Sequence, residues 1–188
     1  IQVDTVNPPG NESRAVDFYA AIFDAEGISY ETAESAPGRG NIWARLPGGN
    51  EPALILLQHT DVVPADREYW STDPLSGAIR DGYIWGRGAR DMRGTGISQL
   101  ATFISLHRAG LELNRDVVFV ATADEEAGGA YGAGWLVENR MPQHLPNHVD
   151  EQANNHCELD EINRKFTPRF PAEYFFHATD RVEFVQIP

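Results

Sequence analysis

Cysteine is almost absent from this sequence. Its one cysteine, Cys157, has no second thiol in the chain with which to form a disulfide. A small secreted domain held together by internal disulfides is therefore excluded, and so little cysteine is typical of a reducing compartment. We accordingly expect a cytoplasmic location.

Long hydrophobic runs and positive charge are also scarce. No stretch approaches the roughly 20 apolar residues that a membrane-spanning helix needs, and no basic-then-apolar segment resembles a signal peptide. The 15 lysines and arginines are outnumbered by 28 aspartates and glutamates, which gives a formal net charge of −13. Nucleic acid and anionic membranes would be repelled, so we expect neither as a partner. The oligomeric state does not follow from these totals.

The size and composition of the chain suit one globular domain. Its 188 residues are 41% hydrophobic and 23% charged, which are ordinary values for such a domain. Strand patterns alternate with helical ones: strands at Ile28–Thr32, Asn41–Leu46, Ala53–Gln58 and Arg115–Ala123, and helices at Ala15–Gly27, Met92–Arg108 and Ala130–Asn139. This alternation predicts an α/β fold over residues 1–188, with a central, largely parallel (mixed) sheet flanked by helices.

His59 and Asp61 follow directly on the apolar strand Ala53–Gln58. We expect this strand to be covered on both faces, and ligands bind at the carboxyl ends of such strands. Side chains two positions apart on an extended backbone point the same way, so the carboxylate can orient a metal-binding imidazole. The same pair is also compatible with an ordinary polar loop.

Acidic side chains occupy comparable positions in two further segments. Asp91 follows a glycine-rich turn before a helix, where it can cap the helix or bridge two cations. Glu125 and Glu126 follow the strand Arg115–Ala123, either as a solvated turn or as a general base beside a metal ligand. The glycine run Gly128–Gly134 does not match a dinucleotide fingerprint, and the glutamates before it would repel phosphate. Because all three clusters lie near strand ends, we expect them to share one edge of the sheet.

Three segments together carry a family resemblance: Leu57–Pro64 (LQHTDVVP), Trp85–Gly94 (WGRGARDMRG) and Ala123–Gly129 (ADEEAGG). In order and content they resemble the signatures of the dizinc aminoacylase, acetylornithine deacetylase, succinyl-diaminopimelate desuccinylase and glutamate carboxypeptidase family. The likeness runs from about Asp4 to Asn139. It implies a zinc-peptidase-like catalytic domain that hydrolyses an amide bond in N-acyl amino acids or small peptides. It also implies two zinc ions, although cobalt and manganese suit the same ligand types.

The resemblance also implies individual roles for the motif residues. His59 would bind one zinc ion, Glu126 would bind the other, and Asp91 would bridge the two. Asp61 would orient His59, and Glu125 would act as the general base.

The resemblance is patchy over residues 140–188. Glu151, beside Asp150, stands nearest to the spacing of the family's next acidic ligand. His177, in the segment FHATDRV, resembles the family's last histidine ligand. Family members insert a lid and dimerisation domain between these two ligands, but here only Gln152–Lys165 separates Glu151 from the family-like segment that begins at Phe166. No separate domain fits into that length, so we expect the lid to be absent.

Three functional interpretations follow. The first is a zinc-dependent hydrolase of N-acyl amino acids or small peptides. The second is a truncated remnant of such an enzyme that binds metal without turnover, because an open site lacks water exclusion and substrate alignment. The third, a metal-free α/β binding module, requires all three motifs to be coincidental.

Overall fold

Helices and strands alternate along residues 1–140 and 183–185, which are the part of the chain described by the structure, a computed structural model. In chain order they are α1 (Ser13–Glu26), β1 (Tyr30–Glu34), β2 (Gly40–Leu46), β3 (Glu51–His59), β4 (Ala78–Arg80), β5 (Tyr83–Trp85), α2 (Thr95–Ala109), β6 (Arg115–Thr122), α3 (Ala133–Asn139) and β7 (Glu183–Val185). No helix in this part of the chain is long and apolar enough to cross a bilayer.

The main sheet has the strand order β1-β2-β6-β3. Strands β1 and β2 pair antiparallel, as do β2 and β6, whereas β3 and β6 pair parallel. The parallel pair results from a crossover through α2, while a short turn joins β1 to β2 as a hairpin. The predicted mixed α/β sheet is therefore confirmed, but the pairings among its described strands are mostly antiparallel rather than largely parallel.

Strand β6 is the centre of the sheet and separates two apolar clusters. Its alternate side chains Val117, Phe119 and Ala121 pack with α1 and α2 on one face. Val118 and Val120 pack on the other face with a cluster that includes Leu136 of α3. Helices therefore cover both faces of the sheet.

Strand β3 is less covered than its sequence predicted. It lies at an edge of the main sheet as described, and Leu57, two residues before its last residue, is 42% exposed. The buried residues of this strand are confined to its C-terminal part: Leu56, Gln58 and His59. Within residues 1–140 and 183–185, the expectation of burial on both faces was therefore wrong at Leu57, because the apolar clusters on the two faces of the sheet do not include that side chain.

Local turn chemistry sets several element boundaries. Helix α1 ends at Gly27, whose φ of 67° is left-handed, and Gly27 N–H donates to the Asp24 carbonyl. The β4–β5 hairpin turns through Asp81 and Gly82 with φ of 53° and 81°, as this dipeptide favours. Helix α2 begins at Thr95, later than predicted, because an irregular turn occupies Ala89–Gly94.

Candidate metal centre

The predicted site residues meet at the edge of the sheet where β3 and β6 both end. His59 is the last residue of β3 and lies in register with Thr122, the last residue of β6. Beyond this pair, Thr60 N–H donates to the Thr122 carbonyl at 2.8 Å, so the two strands end side by side. The segments after the strands, which carry Asp61 and Glu125, therefore start from the same place.

His59 is 6% exposed and has carboxylates near both ring nitrogens. Its Nδ1 lies 3.1 Å from the Asp61 carbonyl oxygen and 3.5 Å from Asp61 Oδ1. Its Nε2 lies 3.1 Å from Asp91 Oδ1 and 3.8 Å from Glu125 Oε2. One nitrogen therefore faces Asp61 inside the protein, and the other faces the remaining acidic groups.

Asp61 is fully buried and accepts hydrogen bonds from three directions. Asn7 Nδ2 donates to Oδ2 at 2.8 Å, and the backbone N–H groups of Glu125 and Glu126 donate to Oδ1 and Oδ2 at 3.1 and 3.0 Å. Burial would raise the pKa of Asp61, but hydrogen bonds from His59, Asn7 and the Glu126 backbone hold it below its usual value. The ionised carboxylate thus joins the histidine to the turn that carries the paired glutamates.

Asp91 lies in the irregular turn Ala89–Gly94 and has non-helical φ and ψ of −112° and 104°. Gly94, and not Asp91, is the N-cap residue of α2. The prediction that Asp91 is the N-cap residue of this helix is therefore wrong. Its side chain is 59% exposed, and its Oδ1 reaches His59 Nε2, which places a carboxylate oxygen where ligands from outside can approach it.

Glu125 and Glu126 begin a single 3₁₀ turn, Glu125–Ala127, directly after β6. One ligand atom each from His59, Glu125 and Glu126 lies within 4.8 Å of the other two. The Glu125 side chain is 61% exposed. Burial raises the pKa of Glu126, and the nearby His59 opposes that shift while Asp91 adds to it. The two glutamates thus share one site but differ in their access to solvent.

The charge balance of this cluster suits a cation. Burial alone would lower the pKa of His59, but Asp61, Glu125 and Asp91 together raise it to about 9. The carboxylates therefore favour a positive charge at the imidazole position. Zinc binds imidazole nitrogens and carboxylate oxygens in catalytic sites, and cobalt and manganese bind them too. The residues present fit a metal ion, and the cluster is a group that could hold one.

Behind these residues lies a second set of polar groups that the sequence did not point to. We call it the buried network, and it comprises Asn7, Glu12, Arg39 and Asp124 together with Asp61. Its members come from four separate segments, so no local pattern joins them. The sequence offers one local signal for this network: Asp124 is a third acidic residue directly before Glu125 and Glu126.

Two predicted ligands lie outside the described residues. Glu151, with its alternative Asp150, and His177 both fall within residues 141–182. Their roles stay predictions. His59, Asp61, Asp91, Glu125 and Glu126 are brought together, while their separate roles as ligands, bridge and base are likewise still predictions.

Comparison with known proteins identifies the family. A family model described as peptidase family M20/M25/M40 matches residues 55–180. Succinyl-diaminopimelate desuccinylase of Methylobacterium radiotolerans is 35% identical over 143 residues, which are 73% of this chain and 36% of that protein. Human aminoacylase-1 is 34% identical over 142 residues, 73% of this chain and 35% of that protein. The chain thus spans little more than a third of the length of these curated relatives.

Solved structures agree with this assignment. Human carnosine dipeptidase 1 superposes with a TM-score of 0.55 at 26% identity, over 73% of this chain and 32% of that one. An M20 family metallo-carboxypeptidase from Sulfolobus solfataricus has the same fold, with a TM-score of 0.56 at 24% identity over 68% of this chain and 30% of that one. With the three motifs meeting at one edge of a mixed sheet and the family model matching residues 55–180, the chain belongs to peptidase family M20/M25/M40.

Proposed function

We propose that this chain forms the metal-binding, catalytic part of a zinc-dependent hydrolase that cleaves amide bonds in N-acyl amino acids or small peptides. The observation that carries the proposal is the meeting of His59, Glu125 and Glu126 within 4.8 Å. Relatives named as a desuccinylase, an aminoacylase and a dipeptidase support the substrate class, because each name denotes removal of an acyl group or cleavage of a dipeptide.

The proposed metal ligands are divided between two zinc ions. His59 would hold one ion, Glu126 the other, and Asp91 would contribute an oxygen to each, which agrees with the 3.1 Å separation of its Oδ1 from His59 Nε2. Glu151 and His177 are proposed to complete the two ligand sets. When bound, zinc would supply a water molecule of lowered pKa and a polarised substrate carbonyl.

Glu125 is the proposed general base. Its carboxylate is 61% exposed, so substrate and water can reach Oε2 from the solvent side. Oε2 would take a proton from the attacking water and later deliver it to the nitrogen of the leaving amine. Its backbone N–H is fixed on Asp61 Oδ1 at 3.1 Å, which limits how far the residue can drift from His59.

A remnant without turnover is the second candidate. The observation that favours it is the short stretch Gln152–Lys165, which stands where family members insert the lid domain. We propose that residues 1–188 form a single catalytic domain without the inserted lid. If so, the same ligands can hold metal while substrate alignment and water exclusion are weaker.

A hydrolysis and metal assay separates these candidates. The 188-residue chain is stripped with chelator, reloaded with zinc, and offered N-acetyl amino acids, N-succinyl amino acids and dipeptides. Zinc-dependent release of free amino acid, with two zinc ions per chain by elemental analysis, is the expected result. Zinc binding without release of amino acid would favour the remnant, and a chain that binds no zinc would contradict both candidates.

Asp61→Asn is expected to weaken zinc binding about 10- to 100-fold, the usual cost of losing a group that orients a metal ligand. An amide cannot accept with its NH₂ end, so at least one of the hydrogen bonds from Asn7, Glu125 and Glu126 is lost. The measurement is competition for zinc against a chelator of known affinity.

Asp116→Asn is the matched control for this change. Asp116 is also a buried aspartate, 4% exposed, but it pairs with Arg45 and accepts from Gly48 N–H at the other end of β6. Its replacement should leave zinc affinity within error of wild type. Equal losses in the two variants would mean that general destabilisation, and not the orientation of His59, causes the effect.

A further inference from the structure

Arg39 occupies the centre of the buried network, behind the proposed metal ligands. The network's other members are nearly inaccessible to solvent: Asn7 is 4% exposed, Glu12 0%, Asp61 0% and Asp124 2%. The Arg39 side chain itself is 12% exposed. Removing this many charged groups from water is costly unless they are well paired, so their arrangement needs a physical reason.

The guanidinium of Arg39 joins two buried carboxylates. Nη1 donates to Glu12 Oε1 at 2.6 Å, and Nη2 donates to Asp124 Oδ1 at 2.9 Å. Nη2 also donates to Asn7 Oδ1 at 3.1 Å. The planar fork of arginine fixes the directions of these bonds, which a point charge such as an ammonium group would not do. Arg39 thus links segments that are far apart in sequence.

Asp124 needs to be held, because its backbone is left-handed with a φ of 69°. This conformation is uncommon for a residue other than glycine. Its Oδ1 accepts from Arg39, its Oδ2 accepts from Tyr131 N–H at 3.1 Å, and its backbone N–H donates to Glu12 Oε1 at 3.3 Å. Because Asp124 immediately precedes Glu125, these bonds determine where the turn with the paired glutamates begins.

Asn7 connects the same network to the other motif. Its Nδ2 donates to Asp61 Oδ2 at 2.8 Å and lies 3.3 Å from Asp124 Oδ1, while its Oδ1 accepts from Arg39. The side chain that orients His59 and the residue that starts the Glu125 turn are therefore anchored to one amide. A shift of Arg39 would be transmitted to both motifs through contiguous hydrogen bonds.

We propose that Arg39 is a positioning residue for the metal centre: it holds the Glu125–Glu126 turn through Asp124 and holds Asp61 through Asn7. The inference deepens the proposed function and rests on it for the identity of the metal. Arg39 touches neither substrate nor metal in this proposal. Its effect is to keep ligand atoms from separate segments at the separations that a metal ion needs.

A purely structural role for Arg39 would be to neutralise buried Glu12. The variants Arg39→Met and Arg39→Met/Glu12→Gln distinguish the two roles. The double variant removes one positive and one negative charge, so the network keeps its wild-type net charge but Asp124 loses the guanidinium. Arg45→Met is the control, because Arg45 on β2 pairs with buried Asp116 on β6 and lies away from the network.

Two properties are measured on the full 188-residue chain. One is zinc affinity by chelator competition. The other, in the absence of metal, is hydrogen exchange of the backbone amides of Glu125 and Glu126, which donate to Asp61. We expect zinc affinity about 10- to 100-fold weaker in both Arg39 variants, with faster exchange at these two amides. The Arg45→Met chain should match wild type in both measurements.

Recovery of wild-type zinc affinity and amide protection in the double variant would overturn the inference, since charge neutralisation would then explain Arg39. A chain that binds no zinc in wild type would also overturn it, because there would be no metal centre to position. Wild type that binds zinc but cleaves none of the substrates would overturn only the proposed hydrolase, and the comparison of zinc affinity and exchange would still decide the role of Arg39.

Discussion

Glu125→Gln is expected to lower turnover of the zinc-loaded chain by about 10²- to 10⁴-fold, the range for loss of a general acid–base group. The substitution keeps the size of the side chain and the backbone N–H bond to Asp61, but it removes the basic oxygen that takes the proton. The zinc content should therefore stay at the wild-type value. The measurement is the turnover rate on whichever substrate the wild type cleaves, with elemental analysis of the same sample.

Glu126→Gln provides the contrast, because the neighbouring residue is the proposed ligand. This variant should lose zinc, whereas the Glu125 variant should not. One ligand atom of each glutamate lies within 4.8 Å of a ligand atom of His59, so loss of zinc in both variants would contradict this division of roles. It would assign Glu125 to the metal and leave the reaction without its proposed base.

Phe119→Ala is expected to lower the free energy of unfolding by about 3–5 kcal/mol, the usual cost of removing a buried aromatic side chain. Phe119 is fully buried at the centre of β6. Its ring centroid lies 5.5 Å from Tyr19, 5.6 Å from Phe23 and 5.8 Å from Phe103, so its loss leaves a cavity between the sheet, α1 and α2. Urea unfolding of the metal-free chain measures the change.

Phe18→Ala is the matched control for this stability prediction. Phe18 is on α1 but is 43% exposed, so replacing it should cost less than about 1 kcal/mol. Similar losses at the two positions would place the centre of stability somewhere other than the face of β6 that packs on α1 and α2.

Patterns confined to one segment predicted the structure well. The apolar run in β6 predicted a strand, and Gly27 predicted the end of α1. The hairpin between β4 and β5 likewise has a turn dipeptide, Asp81-Gly82, that favours it. In each case the residues that decide the conformation are neighbours in sequence. The meeting of the three motifs was also predicted, because each motif follows a strand and strand ends meet at one edge of a sheet.

Features that depend on distant pairings were predicted poorly. The antiparallel pairing of β2 with β6 depends on which strand lies beside which, and the exposure of Leu57 depends on what packs on that face of β3. An apolar run specifies neither. Arg39 was missed for the same reason, since its partners Glu12 and Asp124 are brought to it only by the fold. The irregular turn at Ala89–Gly94 replaces the first turn of a predicted helix, because Asp91 is held in a non-helical conformation.

Because β3 and β6 are aligned with His59 opposite Thr122, the metal centre should tolerate insertions in a loop but not inside a strand. Extra residues in the surface loop between α2 and β6 would lengthen the path between the motifs without altering where either strand stops. One extra residue inside β6 would advance Asp124 and the glutamates by about 3.3 Å and turn alternate side chains to the opposite face. Spacing along the polypeptide can therefore vary among functional versions of this centre, whereas the alignment of the two strands cannot.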